Sequence, residues 1–186
     1  MSDADRDIKI FKPNGKSDED DLRFIEELNH QRANGNLVLA KKLGKALADA
    51  LVLKTGDGDQ SLFTVPGEPD EDTLYRVREL AVFAVERSLQ TVLKNQLLCA
   101  TAVNAFYDLL IKLMPDFYEK VSSGTAFTFY CLDVKESVNI SEHIGASFAM
   151  LCGRESSEKL STLGTEVYDT ACRESEAVIY EYRFAK

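Results

Sequence analysis

The chain has 186 residues, 45% of them hydrophobic and 28% charged, which is typical of a globular protein and excludes a disordered or membrane-embedded class. Its formal net charge of -9 at pH 7 argues against nucleic acid as a partner, because a negative surface repels phosphate backbones. The start Met1–Asp5 is polar and acidic, and the apolar run near residues 97–114 is too polar for a membrane span, so we expect a cytoplasmic protein with no membrane partner.

The first 16 residues predict an arm rather than a helix. Ile8-Lys9-Ile10-Phe11-Lys12 alternates apolar and basic residues, which is the period of a β-strand. Residues 61–65 form a second short candidate strand, ended by Pro66-Gly67. We therefore expect a small β-ribbon from residues 8–12 and 61–65 beside an otherwise helical chain.

A helical hairpin is predicted next. The first helix begins at Ser17 and has an apolar stripe made of Leu22, Ile25 and Leu28. Asn34-Gly35-Asn36 ends it, and a second apolar-faced helix is predicted from about Leu37 to Leu53. A short link between two amphipathic helices indicates an antiparallel pair.

The clearest break in the helical pattern is the acidic, Gly- and Pro-containing segment 55–72. It separates an N-terminal arm and hairpin, residues 1–54, from a main helical bundle, residues 73–186. One domain overall is the expectation, since the chain length suits a single core.

The bundle begins with a third helix, capped by Asp70 and running to about Lys94. The helix predicted at 96–114 is apolar around most of its circumference. Its polar residues form one narrow stripe of Thr101, Asn104, Asp108 and Lys112. This pattern predicts a central, mostly buried helix, or one that lies in a subunit interface.

Further helices complete the pattern. Pro115 starts a short helical turn, Asn139 caps a helix ended by Gly153, and the last helix runs from about Ser156 to Tyr182. The sequence therefore predicts an all-α, single-domain helical bundle of six to eight helices.

No metal, cofactor or catalytic site is predicted. The four cysteines contain no C-x-x-C pair and are interpreted as buried thiols. Asp57 and Glu68 have the spacing of calcium-loop ends, but Leu62 stands where the loop needs glycine. An enzyme would need His143, Cys131 or Asp108 to converge in a cleft, and we expect a protein that is not an enzyme.

The leading hypothesis is a non-enzymatic protein-interaction or assembly module that associates with itself or with another protein. The expected interface residues are Leu97, Val103, Leu110, Leu163 and Val167. If so, Leu110→Asp should dissociate the assembly without unfolding the chain. The alternative is a small-ligand-binding helical protein that uses the aromatic segment 106–130. Its expected ligand-binding residues are Phe106, Tyr107, Phe127, Tyr130 and His143.

Overall fold

The computed structural model describes residues 18–55, 70–136 and 138–185, which form eight α-helices and no β-strand. The helices are α1 (Asp18–Ala33), α2 (Asn36–Thr55), α3 (Glu71–Val92), α4 (Gln96–Leu113), α5 (Pro115–Ser123), α6 (Ala126–Glu136), α7 (Ile140–Leu151) and α8 (Glu158–Glu181). The all-α bundle predicted from the sequence is confirmed. The ribbon segments 8–12 and 61–65 and the calcium-like spacing of residues 57–68 lie outside the described residues.

Side-chain caps explain where several helices begin. The Asp70 carboxylate accepts a hydrogen bond from the Thr73 amide at 2.8 Å, and Asn95 begins α4 in the same way. Such caps satisfy amides that have no partner within the helix. Asn139 also precedes its helix, as predicted, but its side chain donates to Glu142 instead of accepting from the backbone.

The central helix is α3, and not the predicted helix at 96–114. Every residue of the stretch 80–85 is buried, and α3 packs against α2, α4, α6, α7 and α8. Helix α4 packs chiefly against α2 and buries one face, formed by Leu98, Ala102, Ala105, Phe106 and Leu110. Its polar stripe faces solvent at residues 104, 108 and 112, as the spacing of these residues predicted. The apolar composition of the helix, however, predicted more burial than the structure shows.

Close helix contacts depend on glycine. A Cβ atom at Gly44 of α2 would lie 2.1 Å from the carbonyl oxygen of Ala102 in α4. In the same way, a Cβ at Gly164 of α8 would lie 2.6 Å from the Cβ of Phe148 in α7. The backbones therefore approach more closely than any other residue permits, which favours dense core packing.

One hydrophobic core joins the described parts of the chain. It contains Leu43 and Leu47 of α2 together with buried residues of α3, α4, α7 and α8. The N-terminal hairpin thus shares its core with the bundle. Most of the predicted dividing segment, residues 56–69, lies outside the described residues, so the division at 55–72 stays a prediction.

Candidate functional site

The N-terminal half of α1 presents large apolar side chains to solvent. Leu22, Phe24 and Ile25 are 60%, 55% and 50% exposed, and all of residues 22–26 are exposed. The apolar stripe predicted for α1 therefore faces solvent at Leu22 and Ile25. The helix becomes buried only toward its C-terminal end, at Gln31. We call Leu22, Phe24 and Ile25 the α1 patch.

Opposite charges accompany this patch on the same hairpin. The chain carries four consecutive acids, residues 18–21, at the start of α1. The exposed face of α2 carries Lys41, Lys42 and Lys45. A hairpin with acids at one end and lysines along its second helix offers complementary charge to another hairpin of the same kind.

The predicted ligand-binding aromatics are packed rather than arranged around a pocket. Phe106 and Tyr130 are fully buried, and Tyr107 is half-buried against Phe106 with ring centroids 5.2 Å apart. Phe127 is half-buried and lines a shallow groove of about 270 Å³ between α3 and α6. His143 is exposed on α7. These five residues therefore do not form one binding site.

Of the predicted interface residues, three are buried within the chain itself. Leu110, Leu163 and Val167 are 0%, 6% and 1% exposed. A charge at Leu110 would enter this core, so Leu110→Asp is now expected to unfold the chain rather than only dissociate an assembly. Leu97 and Val103 are partly exposed on α4 and stay available to a partner.

A polar cleft that the sequence did not indicate lies between α3, α5 and the end of α7. It has a volume of about 1010 Å³, and its walls include Tyr75, Arg76, Lys120 and Cys152. The cleft is lined by three acidic and three basic residues. The acids are Glu71, Asp72 and Asp116, and the bases are Arg76, Arg78 and Lys120. Its mixed charge suits a polar molecule better than an apolar one.

Beside the cleft lies a buried ion pair. The side chain of Glu79 is 1% exposed and accepts from Arg76 at 2.7 Å, while Tyr75 donates to it at 3.4 Å. Burial, followed by the charge of Glu79, raises the pKa of the Tyr75 hydroxyl. The hydroxyl of Tyr130 is buried with no hydrogen-bond partner, and burial raises its pKa as well. The sequence signal for this pair is a carboxylate directly before the apolar run 80–85, three residues after an arginine.

The cysteines show little nucleophilic character where they are covered. Burial raises the pKa of Cys99 and Cys172, and it raises that of Cys152 to about 11, so these thiols stay protonated near neutral pH. Cys131 is exposed on α6. Within residues 18–55, 70–136 and 138–185, no cluster of three or more His, Cys, Asp or Glu residues is placed to hold a metal ion.

A second polar cluster ties the α1–α2 turn to the end of the chain. Asn36 is 2% exposed, and its side chain bonds to both backbone groups of Ala185. Gln31 accepts from Asn36 and donates to Glu27, which also accepts from Asn95. The hydrogen bonds from Asn95 and then Gln31 lower the pKa of Glu27. The sequence indicated only that Asn36 ends a helix.

Among the described helices, α4 alone has the length and apolar composition of a membrane span, with 28% of that stretch buried inside the structure. The stretch carries Asp108 and Lys112 on its exposed polar stripe.

Comparison with known proteins adds no relative: no family model, curated protein or solved structure matches the chain.

Proposed function

We propose that the chain is a helical protein-interaction module that self-associates through the α1 patch. The observation that carries this proposal is the exposure of Leu22, Phe24 and Ile25 within about one turn of one helix. Large apolar side chains grouped on a surface are typical of protein interfaces.

A second copy suits this surface because of charge. In a two-fold dimer each patch meets its own equivalent. Two hairpins that pair antiparallel would bring the acids at residues 18–21 of one copy toward Lys41 and Lys45 of the other. This local attraction would offset the repulsion between two chains of net charge -9, and added salt should weaken it.

The test is the double variant Leu22→Asp/Ile25→Asp, compared with the natural chain by native mass spectrometry and by light scattering over a wide concentration range. We expect a dimer for the natural chain and a monomer for the variant. The far-UV circular dichroism should stay unchanged, because both side chains are already exposed.

Val138→Asp is the matched control, because this valine is 99% exposed and lies between α6 and α7, outside the patch. It should dimerise like the natural chain. A natural chain that stays monomeric at every concentration contradicts the proposal. So does a double variant that dimerises with unchanged affinity.

A second candidate function is the binding of a small polar ligand in the cleft beside Glu79 and Arg76. The supporting observation is a cleft of about 1010 Å³ next to a buried ion pair and an unpartnered buried hydroxyl. Pockets of this volume accommodate small molecules. Native mass spectrometry of freshly purified protein should then show added mass that is lost on denaturation, and a native mass equal to that of the bare chain argues against it.

A further inference from the structure

The last described residues form an extended segment that lies on the helical body. After α8 ends at Glu181, Tyr182 and Phe184 pack against the core, while Arg183 and Ala185 are exposed. This alternation is that of an extended chain, whose side chains point to opposite sides in turn. Residues 182–185, which we call the tail, thus lie on the surface as a bound peptide would.

The tail is held through its main chain. The side-chain amide of Asn36 donates to the carbonyl oxygen of Ala185 at 2.8 Å, and its oxygen accepts from the Ala185 amide at 2.9 Å. These two bonds reproduce the pairing that a neighbouring β-strand would offer. On the tail they involve only the backbone atoms of Ala185, so they constrain the conformation of that residue and not its side chain.

The residue that makes these bonds is fixed in place by other helices. Asn36 is 2% exposed, and its amide also donates to Gln31 at 2.5 Å. Gln31 is in turn bonded to Glu27 at 2.9 Å. Without Ala185, water would have to replace both of these bonds, whereas the positioned amide is already arranged to pair with another extended backbone in the same position.

An open groove adjoins the tail. About 220 Å³ of space is bounded by Asn34 of the α1–α2 turn, by Val38 and Lys42 of α2, and by Arg183 and Ala185 of the tail. The side-chain nitrogen of Asn34 is buried there with no hydrogen-bond partner. An occupant with an acceptor opposite Asn34 would complete the site.

We propose that the surface covered by the tail, together with the adjoining groove, is a docking site for an extended segment of a partner protein with the pattern aromatic-x-aromatic-x, and that the chain's own tail occupies this surface as an internal competitor. The two aromatic positions correspond to Tyr182 and Phe184, and the residue that follows them is held by Asn36. The site is separate from the α1 patch and does not depend on self-association. A tethered segment has a high effective concentration, so the tail lowers the apparent affinity for any partner.

The experiment uses a labelled peptide, Glu-Tyr-Arg-Phe-Ala, which reproduces residues 181–185, and follows its fluorescence anisotropy. The full chain carrying Phe184→Asp releases the tail by placing a charge where the ring packs. We expect the peptide to bind this variant at least about tenfold more tightly than it binds the natural chain, because the internal competitor has been removed.

Two altered peptides test recognition without any change to the protein. Methylation of the alanine nitrogen removes the N–H group that donates to the side-chain oxygen of Asn36. This change should abolish binding to the Phe184→Asp variant. Replacement of both aromatic residues by serine should do the same. Tight binding by either altered peptide would overturn the assignment of the main-chain bonds or of the aromatic positions.

The remaining outcomes also decide the question. Equal affinity for the natural chain and for Phe184→Asp would show that the tail is not a competitor. If the peptide does not bind a Phe184→Asp chain whose circular dichroism is unchanged, the tail is an internal packing element only.

The oligomeric state gives a separate outcome. If the natural chain is a dimer and Phe184→Asp dissociates it, the result would instead indicate exchange of tails between copies. The Leu22→Asp/Ile25→Asp variant should bind the peptide as the natural chain does, which keeps the two proposals distinguishable.

Discussion

Replacing Gly44 by alanine tests how closely α2 and α4 approach each other. The added Cβ would lie 2.1 Å from the Ala102 carbonyl oxygen and 2.9 Å from the Phe106 amide nitrogen. The first distance falls 1.3 Å short of the 3.4 Å at which ordinary van der Waals contact begins. Both obstacles are backbone atoms, so no side chain can rotate away and one helix has to move.

Two opposing effects set the size of the change. Alanine gains about 1 kcal/mol over glycine within a helix. Against this, overpacking a dense core costs about 1–3 kcal/mol, and the upper end applies where backbone must shift. The displaced contacts include those of Phe106 and Leu110, both fully buried on the same face of α4. Subtracting the helix-propensity gain from the upper end of the overpacking cost, we expect Gly44→Ala to lower the free energy of unfolding by about 2 kcal/mol.

Urea unfolding followed by far-UV circular dichroism measures this change. Ala100→Gly, on the exposed side of α4, is the control, since it changes helix propensity alone and should cost about 1 kcal/mol. If Gly44→Ala leaves the chain equally stable, or stabilises it by the propensity gain, the close approach of α2 and α4 is refuted.

The remaining predictions concern the buried ion pair and the thiols. Arg76→Ala should lower the free energy of unfolding by about 3 kcal/mol or more, because it leaves the Glu79 carboxylate buried and unpaired. Glu79→Gln should cost less, because it buries no charge, and equal losses in urea unfolding would contradict the desolvated pair. At pH 8 a thiol reagent should modify exposed Cys131 first. Burial holds the pKa of Cys152 at about 11, which leaves about a thousandth of that thiol ionised, so rapid modification of Cys152 in the folded chain would contradict its burial.

The hydrophobic periodicity of the sequence predicted the fold class, but it did not predict the position of each helix in the bundle. The polar stripe along α4 predicted its solvent face, since the spacing of side chains is a property of one helix. Which helix becomes the centre depends on partners far away in the sequence. Helix α3 carries Glu79 and Arg76, so its sequence is less apolar than that of α4. In the folded chain Arg76 neutralises the buried Glu79 carboxylate, and this pairing allows α3 to take the central position.

The candidate surfaces were missed for a related reason. Leu22 and Ile25 match the stripe of a core-facing helix, and only the tertiary packing shows that they face solvent. The sequence predicts for Asn36 only a place at a helix boundary, because its partner, Ala185, lies 149 residues further along the chain. A single sequence contains signals for local structure such as turns and caps. A hydrogen bond between residues so far apart does not change the periodicity of either segment, so it could not be predicted from the sequence.

The contact between Asn36 and Ala185 also bears on the order of events during synthesis. The α1–α2 hairpin leaves the ribosome long before residue 185 has been made, so the buried amide of Asn36 must spend that interval bonded to water. The turn therefore cannot reach its final, closed state before residue 185 has left the ribosome, and residues near position 36 stay accessible to chaperones until α8 has folded onto the body. Pulse proteolysis of arrested nascent chains should show this turn gaining protection late, together with α8.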